Sequence, residues 1–376
     1  MTIFGTRPEA TKMCPIIKEL EKQSDIIPIT CITAQHREML DQVLEIFDVK
    51  PDYDLNIMTG TQTLTEITTR ALVGLEKVIK KSNVDIILVH GDTTTTLAGG
   101  LAGFYAKIPV GHVEAGLRTY NKYEPYPEEM NRKLTTALAE LHFAPTECAK
   151  HNLIQENVEE KNIFVTGNTA VDCLKSTVEE NFKFEEKILN EIDYKNEKVI
   201  VMTAHRRENI GKPLQNICEA VRDICKDFSN VRFVYAVHPN KYVKKTAHEI
   251  LSYSEKVELI EPLDMKQMHN LMNKAYAIVT DSGGIQEEAP SLNKPVLVLR
   301  NVTERPEGLR AGTLKLTGLD KKEIYDHIAN LLSDEREYLK MANAKNPFGD
   351  GEASGRIVKT LLYKFGYIPE NPNQFV

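Results

Sequence analysis

Short runs of β-branched and aliphatic residues recur along the chain, each followed by a polar loop and then by a segment with helical apolar spacing. This alternation predicts βα units of a parallel sheet, since parallel strands are buried on both faces and need a crossover helix to return. In the first half the runs are Thr2 to Phe4, Ile26 to Thr33, Asp85 to Val89, Pro109 to Val113, Leu141 to Phe143 and Ile163 to Val165. A charged, helix-prone stretch from Val178 to Lys195 reads as an interdomain connection. The second series runs Val199 to Thr203, Val231 to Val237, Val257 to Ile260, Tyr276 to Thr280 and Pro295 to Leu299. At 376 residues the chain exceeds what one core usually serves. The expectation is α/β, with two doubly wound, Rossmann-like domains facing across a cleft. The first covers 1–170 and is rejoined late by a C-terminal helix within 354–376; the second covers 171–353.

Composition narrows the function classes. A formal net charge of -7 argues against nucleic acid or an anionic membrane as the main partner, because such binding draws on an excess of Lys and Arg. The six cysteines fall in no CxxC pair and no secretory spacing, so they read as reduced thiols of a cytoplasmic protein without structural metal. No signal-peptide pattern opens the sequence, and no apolar stretch approaches the length of a membrane span.

In an open parallel sheet, ligands bind beyond the carboxyl ends of the strands. Those positions are unusually polar here. The first strand leads into Gly5-Thr6-Arg7-Pro8-Glu9, with Lys12 a turn later; the third into His90-Gly91-Asp92; the fourth into Glu114. In the second half the corresponding residues are His205-Arg206-Arg207, His238-Pro239-Asn240, Asp281-Ser282-Gly283-Gly284 and Arg300, with Arg305 just beyond.

Ser282-Gly283-Gly284 followed by Glu287 and Glu288 has the pattern of a glycine turn into a helix start, where free N–H groups can meet a diphosphate; it is equally the pattern of an ordinary capped helix. Asp92 either caps the helix that follows or carries chemistry. Glu128 and Glu129, after Pro127, suit the first turn of a helix. His205 and His238 are hydrogen-bonded loop residues or proton carriers.

Taken together, Phe4-Gly5-Thr6-Arg7-Pro8-Glu9-Ala10, Thr33-Ala34-Gln35-His36-Arg37, Val89-His90-Gly91-Asp92-Thr93, Gly111-His112-Val113-Glu114-Ala115-Gly116-Leu117-Arg118, Thr203-Ala204-His205-Arg206-Arg207-Glu208, Asp281 to Pro290 and Thr303-Glu304-Arg305-Pro306-Glu307-Gly308 resemble the non-hydrolysing UDP-N-acetylglucosamine 2-epimerases, over nearly the whole chain. The resemblance implies the GT-B fold and catalytic roles for Asp92, Glu114, Glu128 and His205. It implies UDP-sugar contacts from Arg7, Lys12, Arg132, Arg206, Ser282, Gly283, Gly284, Glu288 and Arg305, and a regulatory substrate site at Gln35, Arg206 and His238. In that loop the family usually reads HLNP, where this chain has His238-Pro239-Asn240-Lys241. A homodimer and a role in supplying cell-surface polysaccharide synthesis are also implied.

The chemistry fits the inventory. The hydrogen at C2 of N-acetylglucosamine is not beside a carbonyl, so no side-chain base removes it from the resting sugar. Oxidation at C3 would need a nicotinamide, and the chain has no GxGxxG fingerprint, so no cofactor is expected. Cleaving C1 from UDP first acidifies C2. Elimination to a glucal-like intermediate and re-addition of UDP then give UDP-N-acetylmannosamine. Competing expectations are a UDP-sugar glycosyltransferase of the same fold, a hydrolysing epimerase, and a non-catalytic nucleotide-sugar sensor.

Overall fold

A computed structural model describes residues 1–376 except His36 and Thr61; His36, within one of the motifs quoted above, lies outside the described residues. The chain forms two compact units, Met1–Ser176 with Gly349–Val376, and Thr177–Phe348. The first is built on seven strands: β1 Thr2–Phe4, β2 Thr30–Ile32, β3 Tyr53–Asp54, β4 Ile87–His90, β5 Val110–Val113, β6 Leu141–Ala144 and β7 Ile163–Val165. The second is built on six: β8 Lys198–Thr203, β9 Val231–Ala236, β10 Val257–Ile260, β11 Ala277–Thr280, β12 Val296–Val298 and β13 Leu314–Leu316.

Both sheets are wholly parallel, in the orders β3-β2-β1-β4-β5-β6-β7 and β10-β9-β8-β11-β12-β13. Each is doubly wound, as the alternation of runs predicts. Each reverses direction of winding once, between β1 and β4 and between β8 and β11, and crevices at such switch points are where open α/β sheets take ligands. The segments leaving those four strands begin at Gly5, Gly91, Ala204 and Asp281.

Helices cover the sheets through apolar faces set by sequence spacing. Helix Lys212–Asp227 buries Leu214, Ile217, Cys218, Val221, Ile224 and Cys225 against the second sheet, an i, i+3, i+4 stripe. Each large aliphatic side chain so buried contributes about 1.5–3 kcal/mol, an upper bound for a chain that is partly compact when unfolded. The stretch Val178 to Lys195 is mostly irregular and lies in the second unit, with one short helix at Lys187–Glu191.

The segment 349–376 closes the first unit. Asp172 accepts hydrogen bonds from Ala353 N and Ser354 N, at 3.2 and 2.6 Å, and so caps the helix Ala353–Lys364 from outside that helix. Farther on, Phe375 N donates to Val165 O at 2.8 Å and Gln374 Oε1 accepts from Val165 N at 3.1 Å, which occupies the outer edge of β7.

Three histidines are locked inside this unit: His90, His112 and His142, on the adjacent strands β4, β5 and β6, with exposures of 3%, 0% and 2%. Burial drives their pKa values down, to about 4, about 3 and about 4. In the unfolded chain such rings titrate near ~6.5. Between that value and about 4 the unfolded state therefore binds protons that the folded state refuses, and stability falls as pH falls. Thermal unfolding from pH 7 to pH 5 should show the first unit losing about 1.4 kcal/mol per pH unit for each ring in the lower part of this range. His142→Leu should lessen the slope by that ring's share; an unchanged slope would show that His142 does not contribute to it.

Candidate active site

The loop after β1 is organised by Glu9, only 1% exposed. Its Oε2 accepts from Gly5 N, Thr6 N and Thr6 Oγ1 at 3.0, 2.9 and 2.8 Å, while Oε1 accepts from Thr93 Oγ1 and Thr96 Oγ1 at 2.8 and 3.2 Å. One carboxylate thereby joins the segments leaving the two switch-point strands. Burial pushes its pKa upward despite these donors. Arg7, the first residue of helix Arg7–Leu20, is exposed and has no hydrogen-bond or ion-pair partner among the described residues.

Glu114 directly follows β5 with φ +61, a left-handed conformation that costs a side-chain-bearing residue about 1–2 kcal/mol. Its carboxylate is held by Lys12 Nζ, and by Asn168 Nδ2 at 2.9 Å; the buried His90 Nε2 lies 3.9 Å away. His90 is held neutral near pH 7 by its burial. The arrangement presents one anionic carboxylate, 11% exposed in its side chain, beside a cation and a neutral imidazole.

Asp92 is not the helix cap. That role falls to Thr93, whose Oγ1 accepts from Thr96 N at 3.1 Å. Asp92 Oδ2 instead pairs with Arg132 Nη2 at 2.6 Å, and its carbonyl accepts from Asn131 Nδ2 at 2.8 Å. The two neighbouring glutamates of helix Glu128–Leu138 divide. Glu129 is fully buried, accepts from Thr119 N and Tyr120 N at 3.0 Å each, and pairs with Arg132. Glu128 opens the helix half-buried, with no hydrogen-bond or ion-pair partner among the described residues. Gln35 accepts from Thr95 Oγ1 at 3.1 Å.

In the second unit the organising group is Asp281, which directly follows β11 and is fully buried. Its Oδ2 accepts from His205 N, Arg206 N and Asn209 Nδ2 at 2.7, 2.8 and 2.9 Å, which joins the segments after β8 and β11. His205 Nδ1 lies 3.0 Å from Asp281 Oδ1, near enough for an ion pair though not aligned for a hydrogen bond. Burial alone would raise the Asp281 pKa, but His205 and the backbone N–H groups outweigh it and hold the carboxyl below its ordinary range. His205 stacks on His238 with centroids 5.7 Å apart and planes 14° apart.

Helix Gly283–Glu288 begins after Ser282. A Cβ added at Gly283 would sit 3.6 Å from Arg206 Nη2 and 3.6 Å from Arg305 Nη2, so two guanidinium groups converge on this bare backbone. Arg305 Nε is fixed by the buried Glu287 Oε1 at 2.7 Å. Two guanidinium groups beside the start of a helix are an arrangement that suits an anion. Gly284 and Glu288 follow in the same helix; Glu288 Oε2 faces His269 Nε2 at 3.5 Å.

The positions singled out at strand ends thus gather in two groups. In the first unit Lys12 meets Glu114 and Asp92 meets Arg132; in the second Arg206 and Arg305 meet Gly283 and His205 meets His238. Asn168, Asp281 as an organiser and His269 were not singled out. Asn168 follows β7 by three residues, so the strand-end rule applied to that run would have found it.

A family model described as UDP-N-acetylglucosamine 2-epimerase matches residues 18–362. The chain belongs to this family. The UDP-N-acetylglucosamine 2-epimerase of Bacillus subtilis is 56% identical over 375 residues, which span 100% of this chain and 98% of that protein. Among solved structures, the Neisseria meningitidis UDP-GlcNAc 2-epimerase bound to UDP-GlcNAc aligns with a TM-score of 0.85 and 51% identity, over 96% of this chain and 98% of that one. An S. aureus MnaA structure with UDP aligns with a TM-score of 0.87 and 54% identity, over 100% and 99%. Membership in the epimerase family rests on full-length likeness and does not depend on any single motif.

Proposed function

We propose that the protein interconverts UDP-N-acetylglucosamine and UDP-N-acetylmannosamine by inverting C2 through elimination and re-addition of UDP. The observation that carries this reading is the pair of guanidiniums, Arg206 and Arg305, on the helix start at Gly283. Such a site stabilises a leaving diphosphate in the transition state. Arg7, Lys12, Arg132, Ser282 and Gly284 complete the contacts to the nucleotide-sugar, and Glu288 accepts the ribose hydroxyls.

In the elimination, a base takes the C2 proton, the C–H electron pair forms the C1–C2 double bond, and the C1–O pair leaves with UDP. Return on the opposite face needs a second proton carrier. Asp92, Glu114, Glu128 and His205 supply these carriers. The family likeness and the bound UDP-GlcNAc and UDP of its relatives support the reading. Activation by substrate at Gln35, Arg206 and His238, a homodimer and supply of N-acetylmannosamine for cell-surface polysaccharides belong to the same proposal.

Incubation with UDP-N-acetylglucosamine in D2O, followed at C2 by NMR, should place deuterium there in a UDP-linked gluco/manno mixture. Absence of exchange in folded, UDP-binding protein would overturn the reading in favour of glycosyl transfer. Gly283→Ala tests the anion site. The added methyl makes only ordinary contacts at 3.6 Å, so folding should be intact. It occupies space between the guanidiniums, and calorimetry should show UDP affinity falling about tenfold. Unchanged affinity would remove the diphosphate from this place.

A further inference from the structure

Behind Glu288 stands a buried histidine for which the proposed reaction has no use. His269, in helix Met265–Lys274, is 3% exposed. Its Nδ1 lies 2.6 Å from Thr177 Oγ1, and its Nε2 lies 3.5 Å from Glu288 Oε2. Thr177 opens the second unit, and its carbonyl accepts from Asn270 Nδ2 at 2.8 Å; Asn270 Oδ1 in turn accepts from Glu179 N at 2.8 Å.

The ring is therefore anchored on one side to the hydroxyl of Thr177, a residue whose backbone the neighbouring Asn270 also grips. Its other side meets a carboxylate that is 21% exposed, on the last residue of the helix whose first residue, Gly283, lies beside the Arg206 and Arg305 guanidiniums. A glutamate side chain has three rotatable torsions and loses much freedom when it must hold one geometry. An imidazole fixed in plane and set against one carboxylate oxygen restricts that freedom before a ligand arrives, and leaves the other oxygen available.

We propose that His269 is a positioning residue that holds Glu288 in the rotamer that receives the ribose hydroxyls of the nucleotide. This rests on the reading that Glu288 meets the ribose. His269 itself does not touch the nucleotide; it acts through the carboxylate.

The two ring nitrogens can be tested separately in the full-length chain, because a Gln amide nitrogen lies near the place of Nε2 and an Asn amide nitrogen near that of Nδ1. Affinities for UDP and 2′-deoxy-UDP are measured by calorimetry, with thermal unfolding in parallel. The unaltered chain should prefer UDP about tenfold, and Glu288→Ala, which leaves no acceptor, should abolish the preference. His269→Asn, which keeps the Thr177 contact and loses that to Glu288, should reduce the preference to about twofold; His269→Gln should keep most of it. His269→Asn combined with Glu288→Ala should be no worse than Glu288→Ala alone.

If Glu288→Ala retains the full preference, the ribose reading fails and this proposal with it. If Glu288→Ala loses the preference and His269→Asn keeps it, the positioning role alone fails. Equal loss in His269→Asn and His269→Gln, with equally lowered melting, would assign the ring to packing and overturn the proposal. Thr177→Val removes the anchoring hydroxyl with little change in volume and should also lower the preference in folded protein; full retention would count against the anchor.

Discussion

Glu114→Gln should lower kcat by about 10²–10⁴-fold, the usual contribution of a positioned proton carrier, while UDP affinity stays within a few-fold of its unaltered value. The amide has nearly the shape of the carboxylate and can still accept from Asn168, but it takes up no proton at neutral pH. Lys12 and Asn168 converge on this one carboxylate, and the backbone at Glu114 is held at positive φ to present it. Structures tolerate such strain where surroundings over-determine it, commonly at active sites. Steady-state kinetics and calorimetry on the same preparation separate the roles. Turnover within threefold of the unaltered chain, with folding intact, would take Glu114 out of the chemistry and leave it as a tether for Lys12.

The second large effect is on folding. Glu9→Ala should destabilise the first unit by about 3–5 kcal/mol, because it strands the N–H groups of Gly5 and Thr6 and the hydroxyl of Thr6 in the interior at once, and removes an acceptor from the Thr93 hydroxyl. Glu9→Gln, which keeps the volume and one acceptor oxygen, should cost less. Denaturant unfolding reports the difference directly. A loss under 1 kcal/mol for Glu9→Ala would mean that water or a rearranged loop satisfies these donors.

The sheet was readable from the sequence because each buried parallel strand is an apolar run with polar punctuation. The edges were not. Tyr53–Asp54 and Leu314–Leu316 are outermost strands of two and three residues, too short to show a period. The expected second strand began at Ile26, whereas β2 begins at Thr30; Pro28 has no N–H for a ladder and Ile27 is 88% exposed. The start of the last helix was predicted within one residue, yet its capping carboxylate, Asp172, is remote in sequence and left no local trace.

The same division holds at the site. Strand-end position drew attention to Asp92, Glu114, His205 and Arg305, since the rule is local and one-dimensional. What those side chains are paired with depends on neighbours brought from other strands. Thr93, a competing cap one residue on, takes the capping role that the sequence left open for Asp92, and Asp92 pairs with Arg132 instead. Which of Glu128 and Glu129 is committed to structure depends on Thr119 and Tyr120, which donate from the preceding loop. His269 carried no signal at all, because its meaning lies in contacts with Thr177 and Glu288, far away along the chain.

The return of residues 349–376 to the first unit sets the timetable of biogenesis. Ribosomes emit Thr177–Phe348 as one uninterrupted stretch, able to fold as soon as it has emerged, while the earlier-made strands still wait for the segment that occupies the rim of β7. The part of the protein synthesised first is thus finished last, and in the interval its nascent sheet has an open border on which other chains can pair.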